Sequence, residues 1–120
     1  MDLVKVIQKV NSLFADEKNA YDKIPSSFDF LKYSYAISID IGSSITDKIE
    51  LNEIPLQVRV VGLIENKKAI LNKCNEIDSL LNNKCFDNCW IVRSNPYFNN
   101  YTDEDKFNGV LIYYINSAKV

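Results

Sequence analysis

The sequence predicts an α+β domain in the order α-β-β-α-β-β, a mainly antiparallel four-stranded sheet with helices packed on one face. Three observations predict it. Two segments repeat apolar residues at helical spacing, and others alternate apolar and polar residues at period two. Together with two further β-rich runs these strand segments fall into two pairs, and a helix separates the pairs. A chain of 120 residues fits one domain over 1–120. With 47% hydrophobic residues it is too apolar for a disordered chain.

Leu3, Val6, Ile7, Val10, Leu13 and Phe14 recur at i, i+3, i+4 spacing and predict an amphipathic first helix. Residues 15–28 are polar, carry Pro25 and read as a connector. The period then changes to two. Tyr33, Tyr35, Ile37, Ile39 and Ile41 alternate with Ser34, Ala36, Ser38 and Asp40, which predicts a strand over 33–41 ended by Gly42. A second strand is expected over 56–61, with Pro55 at its start, where a missing N–H is tolerated.

Residues 42–54 separate these strands, more than a hairpin loop usually holds. Ile45, Ile49 and Leu51 lie there among Asp47, Lys48, Glu50 and Glu53. Two readings stand: the strands run further as a long twisted hairpin, or the segment projects as an arm whose apolar residues a partner chain covers.

Residues 66–83 make the strongest helix. Ile70, Cys74, Ile77 and Leu81 form its stripe, Leu80 widens it, Asn66 can cap its start, and Asn82 and Asn83 supply the stop. A short strand follows over 89–93, broken by Pro96. Residues 98–108 read as a polar loop, and 110–115 as the closing strand. Tyr113 and Tyr114 point to opposite faces of that strand, so at least one should meet a partner or a covering helix.

The chemistry is sparse. Histidine is absent, which removes the commonest general base and the commonest metal ligand. Cys74, Cys85 and Cys89 fall one ligand short of a structural zinc site, and their spacing is not that of a redox pair, so they read as small buried hydrophobes. Asp103, Glu104 and Asp105 lack the terminal bidentate Glu of a calcium loop and read as a solvated acidic loop. Three glycines leave no phosphate-cradling loop. A net charge of −2 argues against non-specific nucleic-acid binding. No catalytic residue, metal or cofactor is expected. No signal peptide is expected either, because polar residues interrupt the first helix, and no apolar run reaches membrane-spanning length.

The layout nevertheless has a counterpart. The helix precedes a Pro25-containing connector and a Tyr-rich strand over 33–41. The run Pro55, Leu56, Gln57, Val58, Arg59, Val60, Val61 leads into the helix over 66–83. Then come Trp90 to Pro96, the acids Asp103, Glu104 and Asp105, and the strand from Gly109 to Ile115. This arrangement resembles the tail terminator (minor capsid, tail-completion) proteins of long-tailed bacteriophages and prophages. The resemblance covers essentially the whole chain, but its motifs are soft patterns without an invariant signature.

The resemblance implies a structural protein, not an enzyme. Such a protein assembles as a ring, typically a hexamer, on the last ring of the tail tube. It stops tube polymerisation and docks onto the head connector. The implied partners are further copies of the chain, the tail tube protein and the head–tail connector proteins, with DNA passing through unbound. The implied locations are the host cytoplasm during assembly and the virion tail. Carried over, the contact segment is 43–53, with Ile45, Asp47, Ile49, Leu51 and Glu53. Asp103, Glu104 and Asp105 would line a channel and deny phosphate a binding site. The cysteines are no part of the family pattern. A rival reading, a small immunity protein, antitoxin or inhibitor acting by protein contact, fits the same size and mild acidity.

Overall fold

A computed structural model describes residues 3–42 and 53–117. Among these residues are two α-helices, α1 (Leu3–Leu13) and α2 (Lys67–Leu81), and six strands. The strands are β1 (Ala20–Tyr21), β2 (Ala36–Ile41), β3 (Glu53–Leu63), β4 (Cys85–Phe86), β5 (Cys89–Asp103) and β6 (Lys106–Ser117). They form one sheet in the order β1-β2-β3-β6-β5-β4. β1 runs parallel to β2, and every other pair is antiparallel.

The expected four-stranded, mainly antiparallel sheet with helices packed on one face is therefore corrected. The described residues are mostly sheet: 46% of them are strand, in a six-stranded mixed curled sheet with two helices. Two causes are local. β1 and β4 are two residues long, too short to show any period. The stretch 98–108, expected as a loop, is instead the far half of a hairpin: β5 and β6 pair from Phe98↔Leu111 to Asp103↔Lys106 across a two-residue turn. Pro96 does not end β5. The ladder shifts register between Arg93 and Phe98, and the Asn95–Pro96 peptide is cis. Bulges absorb residues that cannot donate to a ladder.

The first strand of the expected set also starts later, at Ala36, with Tyr33 in a turn before it. The helices lie where the spacing puts them. Val6, Val10 and Phe14 bury the face of α1, and Ile70, Cys74, Ile77 and Leu81 bury that of α2. Asn66 occupies the N-cap position of α2 but makes no side-chain cap bond. Asn82 is its C-cap. Asn83 follows with φ 66°, a left-handed conformation that asparagine tolerates.

Alternation along the strands sorts the core. Ile37 and Ile39 of β2, Ile54, Leu56, Val58 and Val60 of β3, Ile91 of β5, and Phe107, Leu111, Tyr113 and Ile115 of β6 join the helix residues in one buried cluster. α2 lies directly on β3 and β6 because both strands carry a glycine beneath it. A Cβ on Gly109 would stand 2.6 Å from Cys74 Sγ, and one on Gly62 would stand 3.1 Å from Ile70 Cδ1.

Candidate functional site

β3 is the ruler for the two groups of candidate residues. Its first residue, Glu53, is exposed and opposite Asn116. Ile45, Asp47, Ile49 and Leu51, and both readings of segment 43–53 ahead of Glu53, lie outside the described residues. At the other end, the Ile64 N–H donates to the Asp105 carbonyl at 3.0 Å, just beyond Leu63↔Lys106. The acidic turn and the start of β3 thus sit at opposite ends of an 11-residue strand. At about 3.3 Å per residue they are some 33 Å apart.

Asp103, Glu104 and Asp105 are all exposed. Asp105 pairs with Lys106 at 2.9 Å, and that ammonium holds its carboxyl below the usual range. Lys106 also stands over the Phe30 ring at 4.9 Å, which ties the turn to the stretch between β1 and β2. Glu104 has φ 57°, a conformation that suits glycine at this place in a two-residue hairpin turn. Glu104→Gly should therefore raise stability by about 0.5–1 kcal/mol. Urea unfolding checks this, and an unchanged or lower midpoint would contradict it.

The most organised polar group was not legible in the sequence. Tyr113 donates its hydroxyl to Asp78 Oδ1 at 2.8 Å, and Arg93 Nε donates to the same oxygen at 3.2 Å. A second guanidinium nitrogen of Arg93 bonds Asp78 Oδ2. The Arg93 guanidinium lies 4.2 Å from the Tyr97 ring centre. Helix α2 is thereby clamped to both strands of the long hairpin. A cavity of about 240 Å³ opens beside the clamp, lined by Leu71, Cys74, Asn75, Asp78, Tyr97 and Phe98, among others.

Charge explains the clamp's protonation. Arg93 first, then the Tyr113 hydroxyl, hold the Asp78 carboxyl below its ordinary value of 3.8 against the opposing effect of burial. Burial, then the adjacent carboxylate, push the Tyr113 phenol up. Burial alone pushes the Cys74 thiol up to about 11. At neutral pH Asp78 is a carboxylate with both oxygens engaged, and the two groups beside it are protonated. The group is built to hold, with no free base in it.

Because the folded pKa of Asp78 is lowered, its contribution is present above 3.8 and is lost as pH falls through the folded value. Asp78→Asn keeps an acceptor for Tyr113 but removes the charge. It should cost about 1 kcal/mol at pH 7, since Arg93 is partly solvated, and progressively less as pH falls through the folded value. Urea midpoints of both proteins from pH 2 to 7 test this, and a gap independent of pH would refute it.

A second tie joins the connector to α2. Lys73 Nζ lies 2.9 Å from Glu17 and 3.1 Å from Glu76. Burial opposes its charge, but the hydrogen bonds to Glu17 and Glu76 outweigh that and raise its pKa.

The three cysteines are free. Cys74 and Cys89 are buried, as expected of small hydrophobes, but Cys85 is exposed on the short edge strand β4. Of the adjacent tyrosines, Tyr113 is fully buried and meets α2 through Asp78. Tyr114 is half-buried on the other face. That other face also carries Arg59, whose Nη1 lies 3.4 Å from the Tyr101 hydroxyl and whose buried Nε has no hydrogen-bond partner among the described residues. Trp90 and Tyr101 stand exposed there, at 38% and 41%.

Among the described residues no group of three or more Cys, Asp or Glu is placed to hold a metal. No described helix is long and apolar enough to cross a membrane. Set beside known protein families and curated proteins, the chain matches no family model and no curated protein.

Proposed function

We propose that the chain is a structural protein of a long-tailed bacteriophage or prophage: a tail terminator that caps the tail tube as a ring, typically hexameric. It stops tube growth and presents the head-docking surface. It works by contact, without catalysis or a cofactor. Its partners are further copies of itself, the tube protein and the connector proteins, and DNA passes without specific binding. It acts in the host cytoplasm during assembly and resides in the virion tail.

The observation that supports this reading most is that the exposed acidic turn lies at the far end of β3 from Glu53. A terminator has to bind the tube with one surface and offer a different one that does not extend it. A heterologous contact repeated about an axis closes a ring only when the rotation closes. The acidic turn at one end of β3 and Glu53 at the other suit such a two-ended body.

The test uses purified protein and purified tail tubes. Wild type should cap tubes of defined length, visible as a terminal ring in negative stain. Ile49→Asp should fold normally by circular dichroism and fail to cap. Capping by Ile49→Asp would remove that segment from the mechanism. Absence of any binding of the wild type to tubes would reject the terminator reading.

A further inference from the structure

β6 lies between β3 and β5, so its odd-numbered residues give their backbone groups to β3 and its even-numbered ones to β5. The two-residue turn requires Asp103↔Lys106 to be a closely bonded pair. Strict alternation then makes Tyr101↔Asn108 and Asn99↔Val110 bonded pairs. Phe98, Asn100 and Thr102, opposite Leu111, Gly109 and Phe107, turn their N–H and C=O groups to the other side of β5. Ile91, opposite Ile115, confirms the parity. Its N–H reaches the Lys84 carbonyl at 2.9 Å, and its carbonyl accepts from Asn83 at 2.8 Å, both on the β4 side.

β4 pairs with β5 only at Cys89 and Trp90. From Phe98 to Thr102 no described strand lies on that side. The irregularity and Pro96 that precede this stretch end at Tyr97, and the stretch itself carries none of the usual protections of a bare edge. No lysine or proline falls between Tyr97 and Thr102, and no charge does either. The one local cover is the Asn99 side chain, whose Oδ1 accepts from the Asn100 N–H at 2.9 Å.

We infer that this edge of β5 binds the same edge of a second copy, antiparallel and two-fold symmetric about Asn100. Parity requires outward-facing residues to meet one another, and centring on Asn100 is the register that pairs all three of them. Phe98 pairs with Thr102 of the second copy, Asn100 with its own counterpart, and Thr102 with Phe98, so every outward-facing group finds a partner. The flanks are complementary in charge. Continuing the register places Asp103 of one copy opposite Tyr97 of the other, on whose ring Arg93 lies at 4.2 Å. No like charges meet along the run. The contact is isologous and therefore separate from the heterologous contact that would close a ring, so it stands independently of the proposed function.

The test is carried out on the full chain with Cys85→Ser, which removes the exposed native thiol. Sedimentation should show a concentration-dependent dimer. Asn100→Cys in that background should form a disulfide dimer under mild oxidation. Bonded antiparallel partners lie about 5.5 Å apart at Cα, within disulfide range. Asn72→Cys, on the exposed side of α2, should stay uncrosslinked. Asn100→Pro removes an N–H that β6 does not use and should weaken the dimer at least tenfold, with an unchanged circular dichroism spectrum. A chain that stays monomeric at several hundred micromolar would overturn the inference. A dimer whose Asn100→Cys form does not crosslink would do so too.

Discussion

Gly109→Ala is expected to destabilise the fold by about 2–3 kcal/mol, and Cys74→Ala is expected to remove most of that loss. The added methyl carbon would meet Cys74 Sγ at 2.6 Å, whereas its next neighbours, Phe98 Cε1 and Ile70 Cγ2, stand at ordinary distances of 3.6 and 3.8 Å. Cys74 is buried on the face that α2 turns to the sheet, so relief requires α2 to lift off the sheet. Cys74→Ala alone deletes one sulfur and should cost about 1 kcal/mol. In the double variant the new methyl occupies part of that space. The two changes should therefore couple by roughly 2 kcal/mol, readable in a urea double-mutant cycle. Strict additivity would show that α2 does not rest on β6 at this point.

Gly62→Ala should be worse, and no side-chain change should rescue it. Its Cβ would stand 2.3 Å from the Ser34 carbonyl oxygen, a backbone atom that precedes β2. A carbonyl cannot rotate away as a side chain can. Either β3 or the stretch just before β2 must shift, with a cost of about 3 kcal/mol or more. The secondary clash with Ile70 Cδ1 at 3.1 Å is negotiable, so Ile70→Val combined with Gly62→Ala should recover less than a third of the loss. Full recovery would mean that Ser34 is not where the strain lies. Thermal unfolding followed by circular dichroism is sufficient to rank the three proteins.

Both helices were legible because each carries four or more apolar residues on one stripe, a signal no strand can imitate. The cores of β2 and β3 were legible for the same reason at period two, and β6 as a short run apolar on both faces. What escaped was structure whose residues answer to solvent. Asn99, Asn100, Tyr101 and Thr102 read as loop because a strand with one ladder and few covered side chains has no need of apolar alternation. Pro96 read as a stop because a single sequence does not show whether a ladder resumes in a new register beyond an interruption. The clamp escaped for a different reason. Asp78 and Tyr113 are 35 residues apart, and an aspartate flanking a helical stripe looks like any solvated charge. The only hint was the Tyr113, Tyr114 pair, which required one ring to find cover.

The place of β6 has a consequence for how the chain acquires its shape. It is the last described strand, yet it fills the gap between β3 and β5, pairing from Glu53↔Asn116 to Leu63↔Lys106 on one side and along the hairpin on the other. Within the described sheet the other strands fall into two groups, β1-β2-β3 and β5-β4, and β6 is the strand that joins them. Amides of β3 and β6 facing one another should be the slowest in the molecule to exchange with deuterium, since releasing them means parting the whole sheet.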